Sequence, residues 1–154
     1  MTITFEVARD GPVQNGAVVY RSHDFSFDVE PAPIRGFTSF LVNDLSLEVD
    51  EGGDLLSVWG LCPHPGWRRG PVHLPEAVRG AVKIRTDAPL SRGISVSLSG
   101  GNRWPIVYDE SSGWLAIGTP KDAEVFIEFV SGAILGLNGK NELRSLWLKA
   151  VRGL

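Results

Sequence analysis

Apolar residues alternate with polar ones at period two along almost the whole chain, and this pattern most constrains what it can fold into. Ile3, Phe5 and Val7 alternate with Thr2, Thr4 and Glu6, and Phe25, Phe27 and Val29 with Asp24, Ser26 and Asp28. Leu45, Leu47 and Val49 alternate with Asp44, Ser46, Glu48 and Asp50, and Ile94, Val96 and Leu98 with Ser95, Ser97 and Ser99. Successive strand side chains point to opposite faces, so each segment offers one face to a core and one to water. Between them stand Asn15-Gly16, Gly52-Gly53, Gly100-Gly101-Asn102, Ser112-Gly113 and Asn138-Gly139, residue types suited to tight turns. Glycine and proline together number 28 (18 and 10), which leaves little room for long helices. The prediction is a mainly β protein, an antiparallel β-sandwich or barrel with at most one short helix.

One segment resists that reading. Leu143, Leu146, Trp147, Ala150 and Val151 recur at helical spacing, with Asn141 placed as an N-cap and Gly153 just past the end. An internal repeat argues the other way. A shift of 88 residues lays Val42–Trp59 on Val130–Trp147 without a gap. Val42/Val130, Leu47/Leu135, Leu55/Leu143, Ser57/Ser145 and Trp59/Trp147 are then identical. The first copy runs into Gly60 and Pro63, which stop a sustained helix. Both copies are therefore predicted as hairpins, turning at Glu51-Gly52-Gly53 and Asn138-Gly139-Lys140. The repeat implies two related β-halves within one domain over residues 1–154, because roughly 75 residues alone bury too little apolar surface. Residues 62–80 are the join.

Composition narrows the classes further. At 154 residues and 43% hydrophobic, the chain has enough apolar surface to offset the entropy of ordering. One cysteine, Cys62, rules out an internal disulfide framework and fits a reducing compartment. No apolar run approaches the ~18 residues of a membrane span, and Glu6, Arg9 and Asp10 stand where a signal peptide is apolar. A net charge of −3 argues against nucleic-acid binding, which rests on clustered positive charge. The expectation is a cytoplasmic protein with neither nucleic acid nor membrane as partner.

Tyr108-Asp109-Glu110, Trp114-Leu115-Ala116-Ile117, Gly132-Ala133-Ile134-Leu135 and Leu143-Arg144-Ser145-Leu146-Trp147 form an acidic turn, a strand, then a Gly-led hairpin closing on an apolar strand. This order resembles a family of very short bacterial β-hairpin proteins associated with toxin–antitoxin pairs. The resemblance spans roughly a quarter of the chain and implies an antitoxin-like role. It departs from the family at Asn138-Gly139-Lys140-Asn141, where acidic residues are the rule, and it carries over no catalytic residue. As a whole, this small, acidic, β-rich and Trp-bearing chain is similar in class to the immunity proteins of secreted toxins.

Candidate chemistry concentrates between Gly60 and Pro75. The stretch holds Cys62, two of three histidines (His64 and His73), four of ten prolines, Trp67 and the pair Arg68-Arg69. Prolines preorganise a loop, and Trp with Arg is the composition of an interface anchor. Trp67, Arg68 and Arg69 are thus the candidate partner-binding residues, with Trp67 expected to be partly exposed. The same stretch also reads as a crossover between the halves, with Trp67 covering the edge of the core. Cys62, His64 and His73 form an alternative active site, with a thiolate nucleophile, a base, and Arg68 or Arg69 to lower the thiol pKa. They offer a metal three ligands, but there is no second Cys pair and no His-x₃-His spacing.

Other motifs carry less. Asp109-Glu110 and Asp50-Glu51 sit at turn signals, where Asp simply favours turns. His23 and Asp24 are adjacent, so on a strand they face opposite sides. Gly132, Gly136 and Gly139-Lys140 miss the spacing of a phosphate loop, and Asn141 stands where Ser or Thr holds magnesium. No cofactor is expected. Trp59 and Trp147 are predicted to pack the core, Trp104 to lie on an edge strand before Pro105, and Trp114 to cap a barrel mouth. The function predicted is a protein-binding module, immunity- or antitoxin-like, that occludes a cognate protein toxin. A small cofactor-independent enzyme or ligand-binding β-barrel using the 60–75 loop is the alternative.

Overall fold

The computed structural model describes residues 1–33 and 36–150, together with the backbone of 152–153. Its first half contains β1 (Ile3–Ala8), β2 (Gln14–Arg21), β3 (Ser26–Glu30), β4 (Thr38–Val42), β5 (Leu45–Val49), β6 (Leu55–Leu61) and β7 (Arg68–Arg69). After a short β8 (Val78–Arg79), the second half contains β9 (Ala81–Thr86), β10 (Val96–Ser97), β11 (Ile106–Asp109), β12 (Trp114–Gly118) and β13 (Val125–Ser131). It ends with β14 (Ala133–Leu137), β15 (Leu143–Lys149) and β16 (Arg152–Gly153). Among the described residues, helix is confined to single 3₁₀ turns at His64–Gly66 and Pro120–Asp122. The protein is mainly β, as its alternation predicts.

β1 and β9 form an antiparallel ribbon. The other strands build one curled, half-barrel sheet in the order β10-β4-β5-β6-β3-β2-β13-β14-β15-β12-β11-β7, with β8 beside β13 and β16 beside β2. The curl brings its ends together. The Asn43 side chain, just past β4, accepts the Trp104 N–H (2.8 Å) and donates to the Trp104 carbonyl (3.1 Å), two residues before β11.

The 88-residue offset reaches well beyond the identical residues. β3/β12, β5/β14 and β6/β15 have bounds 88 apart at both ends. Their ladders share one register: Tyr20↔Phe27 matches Tyr108↔Leu115, Ser26↔Leu61 matches Trp114↔Lys149, and Leu47↔Val58 matches Leu135↔Leu146. The register shift at Glu48/Val49 recurs at Gly136/Leu137. The sheet order is one five-strand unit written twice, β4-β5-β6-β3-β2 and β13-β14-β15-β12-β11. β13 departs from its counterpart by an extra shift between Glu128 and Val130.

The two hairpin turns are built alike. Asp50 Oδ1 accepts the Asp54 N–H (2.9 Å), as Asn138 Oδ1 accepts that of Glu142 (2.9 Å). Gly53 (φ 92°) and Asn141 (φ 61°) take the left-handed position, which few other residues adopt without strain. Residues 143–149 are accordingly a strand and not a helix. The helical spacing is a by-product of burial on both faces, since Leu146, Trp147 and Leu148 are all buried. Val151, the last residue of that spacing, lies outside the described residues.

Each half completes the other. The Ile84 N–H bonds the Gly53 carbonyl and the Phe5 N–H the Asn141 carbonyl, both at 2.8 Å, and Phe5 and Ile84 are partners in the ribbon. The ribbon is thereby pinned between the two repeat turns. β7, from the first half, pairs with β11, and β16, from the second, pairs with β2. Buried side chains from both halves, Phe27, Phe40, Leu47 and Val58 with Leu115, Ile127, Phe129 and Leu135, belong to one core cluster.

A Cβ on Gly53 would overlap the Ile84 carbonyl oxygen, whereas one on Gly52 would meet nothing closer than Asp50 Oδ1 at 3.5 Å. Gly53→Ala should therefore destabilise the protein by about 2 kcal/mol, and Gly52→Ala by less than about 0.5 kcal/mol. Urea denaturation of the two variants measures the difference.

Candidate functional site

Tyr20 and Tyr108 occupy equivalent places in the two halves, and Trp67 is wedged between them. Its ring centroid lies 4.9 Å from Tyr20 and 5.0 Å from Tyr108, with Phe27 stacked at 6.3 Å. The expectation of a partly exposed Trp67 is corrected here: it is 9% exposed. A large indole bridging two β-units contributes more by burial and aromatic packing than it can at the surface. Arg68 and Arg69 follow it out into solvent on β7. Arg69 pairs with Glu110 at 2.7 Å, both largely exposed, an ion pair of little energetic weight.

The proposed thiol chemistry meets a closed site. Cys62 is 2% exposed, and burial pushes its thiol up to about 11, against a smaller opposing effect of the Trp67 indole N–H. A thiol that resists ionising is a poor nucleophile. The His64 N–H donates to the Tyr20 hydroxyl (3.1 Å), which donates to the Cys62 carbonyl (2.9 Å). The half-buried His64 ring packs 5.2 Å from Phe25. His73 lies exposed further along the chain. Among the described residues, no three His, Cys, Asp or Glu side chains gather as a metal-binding group.

What distinguishes the two halves is their outer faces. In the second half, Trp147, Ile134 and Ala116 form a small outer cluster, with Trp114 and Phe126 packed against it. Trp114 thus belongs to this outer face and caps no barrel mouth. Residues 70–80 cross it as a strap. The Gly70 N–H bonds the Tyr108 carbonyl (3.1 Å), the Val72 N–H bonds Asp109 Oδ2 (3.1 Å), and β8 runs parallel to β13. Val72 and Ala77 seal the cluster. Ser111, chiefly, and the Val72 N–H hold the Asp109 carboxyl down to about 2.

The equivalent face of the first half is open. Trp59 corresponds to Trp147, yet it is 46% exposed where Trp147 is 2% exposed. This corrects the expectation that both pack the core. The neighbours explain the difference. Ile134 and Ala116, the β14 and β12 partners of Trp147, correspond to Ser46 and Asp28, and Gly136 corresponds to Glu48. Glu48 Oε2 accepts the Trp59 indole N–H (3.1 Å), and Oε1 accepts the Gly36 N–H (2.9 Å). With glycine at 136, the Trp147 N–H is buried without a partner, as is the Ser145 hydroxyl.

Leu61, two residues along β6, is 55% exposed, and Phe25, whose carbonyl accepts the Cys62 N–H, is 39% exposed. Beside Trp59 runs a groove of about 400 Å³ walled by Phe37, Ser39, Glu48, Arg92 and Ser95. Arg92 lies 4.8 Å over the Phe37 ring. Sequence reasoning missed this face because it weighed the identity of the two tryptophans and not their surroundings. The same offset already aligns Asp28, Ser46 and Glu48 with Ala116, Ile134 and Gly136.

No protein-family model matches the chain, and no curated protein matches it. No helix among the described residues is long and apolar enough to cross a membrane.

Two expectations follow. A thiol raised from 9.0 to about 11 carries about 100-fold less thiolate at neutral pH, so Cys62 should react with iodoacetamide at least that much more slowly than free cysteine. Equal rates would contradict the closed site. The depressed Asp109 carboxyl stabilises the docked strap fully above its ordinary value of 3.8, and that contribution is lost as pH falls through about 2. Hydrogen exchange at the Val72 amide should accelerate across that window, and Asp109→Asn should remove the pH dependence.

Proposed function

We propose that this chain is a protein-binding module that docks its partner on the open outer face of the first half. The observation that carries this reading is the exposure of Trp59, with Leu61 two residues along the same face of β6, where Trp147, the counterpart of Trp59, is sealed. Aromatic and aliphatic side chains exposed together mark interaction surfaces more often than singly exposed ones do. The burial of Cys62 and its raised thiol lend no support to thiol catalysis in the 60–75 loop. Occlusion of a toxin, the role implied by the sequence resemblance, is a specific form of this reading, with the contact moved from Trp67 to Trp59. Arg68 and Arg69 lie on β7 beside β11, at the opposite end of the strand order from β4 and β5.

Affinity capture from the native organism, followed by reconstitution from purified components, tests the proposal. A stoichiometric protein partner should bind the wild type, and Trp59→Ala with Leu61→Ala should weaken it by at least about 30-fold, the loss of a hot spot worth about 2 kcal/mol. Leu74→Ala, on the exposed side of the strap, should leave affinity unchanged. A partner held equally by the double variant overturns the assignment of this face.

A further inference from the structure

The protein carries its own example of what a segment laid across such a face looks like. The strap carries Pro71 and Pro75 and packs the small apolar side chains of Val72 and Ala77 against the cluster that contains Trp147. Around Trp59 the charges differ, with Arg21 in place of the Asp109 that holds the strap. Asp28, Glu30 and Glu48 stand where the covered half has Ala116, Gly118 and Gly136. The strands on either side of β6 therefore carry three carboxylates on the open half, one of them, Glu48, bonded to the indole itself.

Among the described residues, the three carboxylates share one paired cation. Arg21 pairs with Glu30 and lies 3.8 Å from Asp28, so one guanidinium serves two carboxylates. Among the described residues Glu48 accepts the Trp59 and Gly36 N–H groups and pairs with no cation, and Arg92 sits over the Phe37 ring. An indole face with carboxylates at its rim favours a cation, through the ring quadrupole and through charge pairing at once. Strand addition is not the mode of binding. The outer edge of β4 is already taken by residues 93–98, through the Gly93 and Leu98 N–H groups, the Thr38 hydroxyl and β10. An occupant must lie on the face.

We infer that the partner presents an extended cationic segment, which lies across Trp59 as the strap lies across Trp147 and places a Lys or Arg between the indole and the Asp28, Glu30 and Glu48 carboxylates. This rests on the protein-binding reading above and specifies the chemistry of its partner.

The test uses the full chain and two capped peptides with the sequence of residues 70–80, one carrying His73→Lys and Glu76→Lys, the other His73→Gln and Arg79→Gln. The readout is the Trp59 indole N–H resonance, assigned with Trp59→Phe. The cationic peptide should shift that resonance and bind at least about tenfold more tightly than the other. Its affinity should fall about tenfold or more between about 0.05 and 0.5 M NaCl. Glu48→Gln should weaken it severalfold, and Trp59→Ala should abolish it. Equal binding of the two peptides, or binding that leaves the Trp59 resonance unmoved, overturns the inference. If neither peptide binds while the captured partner still depends on Trp59, the cationic segment is wrong and the docking face stands. If that dependence fails as well, both fall.

Discussion

Neither half of this protein can satisfy its own strand edges. An exposed edge is a row of unpaired N–H and C=O groups, and here each unit closes its row with chain from the other. β7 leaves the first half to pair with β11, β16 leaves the second to pair with β2, and β2 runs parallel to β13. The ribbon of β1 and β9 is held the same way, by one hydrogen bond to each repeat turn. Trp67 fills the space between Tyr20 and Tyr108, where the two units meet. The duplication is thus a condition of stability as well as a trace in the sequence.

A repeat that is equal in backbone need not be equal in surface, and the inequality here is confined to the outer faces. The inner faces of both units carry large aliphatic and aromatic side chains in one core. On the outside, the strap between the halves covers only one of the two tryptophans. Beneath it the face is tightly packed: a Cβ on Gly136 would collide with the Ser145 hydroxyl, Trp147 and Ala123. The Trp147 N–H and the Ser145 hydroxyl are buried there without partners, each a cost of about 1–3 kcal/mol that the apolar contacts of Val72, Ala77, Phe126 and Trp147 must offset. The open face has the opposite arrangement: its indole N–H is satisfied by Glu48, and its apolar surface is left to solvent.

Much of the fold is legible in the residues, because period-two alternation and Asn/Gly turns report directly on which side of a sheet each side chain faces. The hairpin at Asn138–Glu142 is legible only through its repeat. Burial on both faces of β15 erases the alternation, and Leu143, Leu146 and Trp147 then imitate helical spacing. The site was harder to read. Trp67 looked exposed because its proline-rich, arginine-bearing surroundings are those of a loop, yet its burial depends on Tyr20 and Tyr108, which lie far away in sequence and meet only in the folded sheet. Trp59 looked buried because its identity with Trp147 was visible, whereas the cover over Trp147 comes from a segment outside the repeat.

The central claim is that two indoles at equivalent positions occupy opposite environments. Fluorine NMR of the protein labelled with 5-fluorotryptophan tests it directly, with the Trp59 and Trp147 resonances assigned by single Trp→Phe variants. The solvent isotope shift between H₂O and D₂O should be large for Trp59 and near zero for Trp147. A Trp59 resonance as insensitive to solvent as that of Trp147 would mean the face is covered, and would contradict the account.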